Sequence, residues 1–167
     1  MMNRRWLMVS LLALAPWLQA QSVHVHGQGQ LQVSAHQDQL SVLLVLPAMD
    51  VVGFEHAPSS PEQQAKVSEA EARLASPQDI VAADGAAQCT VQSVKIDSLH
   101  GHDHDHADFS VEYQFLCGRP QQLSELRLPI FQWLPELQLR AEVVTEYGAK
   151  VATLNHDSAI LLLPAAP

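Results

Sequence analysis

The chain has 167 residues, 47% of them hydrophobic, with 9 basic and 18 acidic side chains and a formal net charge of −9. An acidic surface repels nucleic acid and anionic membrane, so neither is an expected partner, while cations are attracted weakly and without selection. The length leaves room for one domain with a modest core.

Met1 to Arg5 carry two arginines, the 13 residues Trp6 to Leu18 are almost wholly apolar, and Leu18-Gln19-Ala20 offers a small residue for cleavage. Charge, apolar run and small residue in that order mark a secretory signal. The run is short of the roughly 20 residues that a permanent span needs. No cysteine stands at the cleavage point to take a lipid. The expected organisation is a signal peptide over residues 1–20 and a single β-rich domain over 21–167, exported, with no membrane span once the signal is removed. Loss of Arg4 and Arg5 leaves 7 basic against 18 acidic side chains, a net charge of −11.

Val23-His24-Val25-His26 alternates apolar and polar, and Gln28 to Ala35 continues the alternation with Leu31, Val33 and Ala35 on one face. A polar turn over residues 36–39 leads to Leu40–Pro47, so dense in Val and Leu that it reads as the central strand of a sheet. Pro47 to Ser60 reads as irregular. Ser60, Pro61 and Gln63 fit an N-cap, a first helical proline and a capping-box partner. The predicted helix runs from Pro61 to Ala75, stops at Pro77, and lays a thin stripe of Val67, Ala70 and Leu74 on a sheet. Cys89 to Ile96 is a strand whose apolar positions switch from odd (Val91) to even (Val94, Ile96), which indicates a bulge. Phe109, Val111, Tyr113, Phe115 and Cys117 alternate cleanly. After Gly118-Arg119-Pro120 the pattern predicts a strand over Leu123–Ile130 and a short buried turn at Phe131–Pro135. Strands then follow over Leu137–Thr145, Ala149–Leu154 and Ala159–Leu163. Seven or eight mostly sequential strands with one helix predict a mainly β, α+β domain: an antiparallel sheet or sandwich with one inserted helix and a His-rich hairpin loop.

Cys89 and Cys117 are the only cysteines. In an oxidising compartment a disulfide is the default, although two thiolates can also serve as metal ligands. Their midpoint is position 103, so a hairpin of Cys89–Lys95 with Phe109–Cys117 sets them face to face at its far end, bracing the loop between.

That loop, His100 to His106, reads H-G-H-D-H-D-H. Nothing in it suits a core, and neutral imidazole at this density suits zinc and similar divalent ions. Side chains at i and i+2 of an extended segment share a face, so pairs of His100, His102, His104 and His106 can converge if the backbone bends, and Gly101 permits bending. Asp103 and Asp105 can ligate or orient an imidazole. The competing reading is a solvated polar loop. His24 and His26 repeat the same spacing near the start of the exported chain, where a surface pair is the alternative. Glu55-His56 is ambiguous in isolation; beside two other clusters His56 can complete a site, with Glu55 as a further ligand or orienting group. His36 and His156 lie at turns and read as ordinary surface. A free amino terminus with histidine third would offer copper(II) or nickel a square-planar site, but cleavage after Ala20 places His24 fourth. No H-E-x-x-H, G-x-S-x-G or phosphate loop occurs, and beyond Glu55 nothing shapes a hydrolytic zinc site, so the chain does not read as an enzyme.

These residues resemble the ZrgA-type zinc-uptake accessory proteins, exported bacterial zinc-binding proteins. The matching features are H-x-H-G at His24 to Gly27, G-F-E-H-A-P at Gly53 to Pro58, the capped helix, the cysteine pair and the His/Asp loop between the cysteines. The resemblance implies a periplasmic protein that binds zinc and helps supply a zinc ABC importer. It implies His24, His26 and His56 as a fixed site and the loop histidines as a variable collector. The loop here holds four histidines, where some relatives have longer runs. Two other readings stand beside it: a structural or interaction module that metal merely stabilises, and a periplasmic copper or nickel binder.

Overall fold

The computed structural model describes residues 27–100 and 107–164. Strands β1 (Gln28–His36) and β2 (Gln39–Pro47) form the expected hairpin. Helix α1 (Ala48–Val52) follows directly, then α2 (Pro61–Leu74), α3 (Pro77–Ile80) and the two-residue β3 (Ala82–Ala83). The long hairpin is β4 (Cys89–His100) with β5 (Asp108–Cys117). Next come β6 (Glu125–Arg127), α4 (Ile130–Trp133), β7 (Gln138–Thr145), β8 (Gly148–Leu154) and β9 (Ile160–Leu162).

Six strands make one sheet in the order β4-β5-β2-β1-β7-β8, and β3-β6-β9 make a smaller one. The expected all-antiparallel arrangement is corrected at one pair: β1 and β7 run parallel, from Gln28 beside Gln138 to Ala35 beside Thr145. The reason is the route of the chain. After β5 it leaves the large sheet, contributes β6 to the small one, and returns through α4 on the far side of β1. That crossover delivers β7 in the direction of β1, as parallel neighbours require. The strand expected over Leu123–Ile130 shrinks to Glu125–Arg127 for the same reason, because Pro129 precedes the helical turn α4. The expectation of one helix holds for α2 alone; among the described residues three shorter α-helices and two single-turn 3-10 helices (Gly85–Ala87 and Pro120–Gln122) join it.

Period-2 burial explains which face is inside. Leu31 and Val33 of β1, Leu40, Val42, Leu44 and Leu46 of β2, Phe109, Val111, Tyr113 and Phe115 of β5, and Leu139, Ala141 and Val143 of β7 all point into one continuous core. The predicted stripe of Val67, Ala70 and Leu74 on α2 closes over it. The helix is fixed there by two side-chain bonds. Tyr113 Oη donates to the Leu74 carbonyl at 2.8 Å, and Ser98 Oγ donates to Glu71 Oε1 at 2.6 Å. At its start Ser60 Oγ accepts the Gln63 N–H at 3.2 Å, while Gln63 Oε1 reaches one residue further back than a capping box, to the Ser59 N–H at 2.8 Å.

The β4–β5 hairpin carries the predicted bulge, between Val91 and Ser93, and a second one between Ser98 and His100 where Leu99 adopts φ +57°. Cys89 and Cys117 pair directly in register and are bridged. The bridge therefore closes the end of the hairpin remote from His100 and Asp108.

Candidate metal centre

The frame of the candidate site is built around α1. Pro47 ends β2 and Ala48 begins the helix, with the Ala48 N–H donating to the Ala107 carbonyl at 2.9 Å. Ala107 is the residue after His106. Across the sheet at this level, Asp108 pairs with Pro47 on one side and with the backbone of His100 on the other. The exit of the histidine loop at Ala107 is thus bonded to the start of α1, and its entry at His100 lies one strand further out, beside Asp108.

The same helix holds the residue that follows the first histidine pair. Asp50 Oδ2 accepts the Gly27 N–H at 2.7 Å, and the Gly27 carbonyl accepts the Gln138 N–H at 2.7 Å. Gly27 has φ +75°, a left-handed conformation that a Cβ disfavours. This accounts for the glycine of H-x-H-G: a left-handed residue stands immediately before β1.

Gly53 performs the matching task at the other end of α1. It caps the helix with φ +83°, and its N–H returns to the Met49 carbonyl at 3.0 Å. The chain then reverses into Phe54, Glu55 and His56. Phe54 is buried and supports the exposed His56 ring, the two ring centroids lying 5.1 Å apart with a 31° tilt. His56 Nδ1 lies 2.8 Å from the Ala57 carbonyl. A carbonyl can only accept, so this contact takes Nδ1–H, and in the neutral ring the lone pair then sits on Nε2, the form in which an imidazole ligates a metal.

His56 and Glu55 are therefore placed beside α1. His24, His26, His102, Asp103, His104 and His106 lie outside the described residues, and of His100 only the backbone is described. Among the described residues no three His, Cys, Asp or Glu side chains are grouped to hold an ion. His36 and His156 stand apart from α1, His36 Nδ1 being 3.3 Å from Glu146 and His156 Nδ1 3.5 Å from Asp157.

Sequence reasoning missed α1 and Asp50. A five-residue helix spans barely more than one turn, too short to show a 3.6-residue period. The available signals were the buried Ala48 and the helix-capping Gly53, each weak without the fold.

Residues 23–163 match the family described as ZrgA family zinc uptake protein. No curated protein matches the chain. Among the described residues no helix is long and apolar enough to cross a membrane.

Proposed function

The chain belongs to the ZrgA family of zinc uptake proteins, and from that premise we propose that it captures zinc in the periplasm through its histidine clusters and helps deliver the ion to a zinc importer. The observation that carries this reading is the convergence on α1. Gly27, the Gly53–His56 reversal and Ala107 are each attached to that one helix, and each adjoins a histidine cluster. Three segments far apart in sequence then share one end of the sheet.

In this reading His24, His26 and His56 form the fixed site, with Glu55 as a further ligand or as the acceptor for an imidazole N–H. His100, His102, His104 and His106, with Asp103, collect ions and hand them over. Residues 1–20 direct export and are removed, leaving one domain in an oxidising compartment, and the Cys89–Cys117 bridge suits that location. The role is binding and transfer, not catalysis.

Isothermal titration with zinc tests it. The mature protein should show saturable binding, and H24A/H26A, which removes two proposed ligands, and H56A, which removes one, should each weaken the tight event by about tenfold or more. Unchanged affinity in all these variants excludes the site. Zinc-limited growth that is indifferent to the gene excludes the delivery role.

A further inference from the structure

The two edges of the large sheet are finished differently. β4 carries two register shifts, between Val91 and Ser93 and between Ser98 and His100, and helix α2 is bonded to it through Glu71 and Ser98. Bulges and a covering helix are devices that keep a sheet edge from pairing with another chain. β8, at the other edge, has neither: it pairs with β7 from Gly148 to Leu154 without a shift. The turn between them has two residues, so Gly148, Lys150, Ala152 and Leu154 bond β7, and the backbone groups of Ala149, Val151 and Thr153 point away from the sheet. The side chains of these three residues stand on the outer face, beside Val144, Glu142 and Arg140 of β7, and none of the three is charged. The surroundings are apolar as well. Five of the eight large hydrophobic side chains exposed among the described residues belong to this hairpin or to β9: Val144, Tyr147, Val151, Ile160 and Leu162, each 47–61% exposed. β9 is tied to the hairpin where Lys150 Nζ donates to the Leu162 carbonyl at 3.4 Å and Thr145 Oγ1 to that of Pro164 at 3.1 Å.

We propose that β8 is the contact surface of a homodimer, in which β8 of a second copy lies antiparallel beside it with the two Val151 residues opposite each other. The strand is complementary to itself. A two-fold axis at Val151 sets Ala149 against Thr153 of the second copy, so the outward-pointing residues meet in register and exchange about six backbone hydrogen bonds. A second copy thus supplies a matching row of uncharged side chains at all three positions. Charge permits the pairing even though the chain carries −9 overall. Glu142, the carboxylate on the central rung, is paired with Arg140 of its own strand. It would stand three strand spacings, roughly 14 Å, from Glu142 of the second copy. That exceeds the Debye length of about 8 Å in physiological salt. Lys150, on the other face, would stand opposite Ala152 of the second copy and is already bonded toward β9. A strand edge with its flanking side chains is at the lower end of interface sizes, so the dimer should dissociate on dilution. Helix α1 follows β2, three strands away from β8, so neither candidate metal centre lies at the contact.

The test is sedimentation equilibrium of the mature chain over about 1 µM to 1 mM, with a chelator present because imidazoles sharing an ion between copies would also join them. We expect a monomer–dimer equilibrium across that range. V151K puts two ammonium side chains face to face at the axis, their Cβ atoms about 5 Å apart, and should weaken association about tenfold or more. V91K makes the same change on the opposite edge, where Val91 is 46% exposed, and should leave association within about twofold. Zinc affinity should be unchanged in V151K, so the dimer and the proposed function stand or fall separately. A wild type that is monomeric throughout the range overturns the proposal and leaves the edge to an extended segment of another protein. Equal weakening by V151K and V91K, or none by V151K, places the contact elsewhere and overturns it too. If V151K does not fold, hydrogen exchange in the wild type decides. Protection of the Ala149, Val151 and Thr153 amides that grows with protein concentration supports the pairing, and exchange independent of concentration overturns it.

Discussion

Breaking the Cys89–Cys117 bridge separates what holds the scaffold from what holds the metal. The perturbation is the double substitution C89S/C117S, which closes no ring and adds no bulk. The bridged residues are 28 positions apart, and the chain-entropy relation for a loop of that size gives about 3.6 kcal/mol of stabilisation. For a chain of this size each kcal/mol moves the midpoint by roughly 2–4 °C, so the apo protein should melt roughly 7–14 °C lower. The bridge lies at the Cys89–Cys117 rung, while Ser98 pairs with Phe109 at the other end of the hairpin, eight positions further along β5. At about 3.4 Å per residue the two ends stand roughly 27 Å apart. With β5 held against β2 over its whole length from Leu116 to Asp108, loss of the bridge should leave zinc affinity within about twofold at 25 °C. The assay is calorimetric melting with a chelator present, then zinc titration well below the lowered midpoint. A midpoint shift under about 2 °C would refute the loop-constraint argument. A tenfold loss of zinc affinity in folded protein would refute the separation of scaffold from site.

Tyr113→Phe removes the hydroxyl that satisfies the Leu74 carbonyl at 2.8 Å in the core, and should cost about 1–3 kcal/mol in urea unfolding with zinc affinity unchanged. Burial also raises the Tyr113 ionisation above its ordinary value of 10.0. The unfolded chain therefore releases that proton first, the native state binds more protons above pH 10, and stability should fall as pH rises past that point. Denaturant midpoints measured from pH 9 to 11 check the sign, and Y113F should flatten the slope. Gly53→Ala places a Cβ in open space but at φ +83°, so the cost is conformational, about 1–2 kcal/mol, and thermal melts should show it together with weaker zinc binding. Zinc affinity followed by titration should decline as pH drops through about 6.5, where imidazoles gain the proton that blocks coordination; a flat profile from pH 8 to 5 would exclude histidine ligands.

How much of this was readable beforehand depends on the range over which each feature is encoded. The stripe of α2 and its Ser60 cap are local patterns and came out residue for residue at the N-terminus. The bulge near Val91 was legible because a change of parity in an alternating strand has one geometric meaning. The β1–β7 pairing was not, since alternation says which face is buried and nothing about which strand lies alongside. Residues 123–130 failed for a related reason: Leu126, Leu128 and Ile130 are all buried as a strand would have them, yet the backbone turns at Pro129 and the last belongs to a helix. In the candidate site the two motif glycines were legible by type and spacing, and His56 and Glu55 lie beside α1 as part of the same motif, while the other predicted ligands lie outside the described residues, apart from His100, of which only the backbone is described. Asp50 was not legible, because a single carboxylate that bonds a backbone N–H 23 positions away leaves no pattern in its own neighbourhood.

The hairpin tip has a further consequence for how such proteins can vary. Residues 101–106 connect two strands whose register is already set by ten rungs from Cys89 with Cys117 to His100 with Asp108, and by the Ala48–Ala107 bond at the exit. Lengthening a connection between ends that are already fixed is thermodynamically mild, about 0.6 kcal/mol for each doubling. Imidazoles can therefore be added or deleted there with little penalty to folding, and under the proposed collecting role the number of ions held would follow the length of that connection.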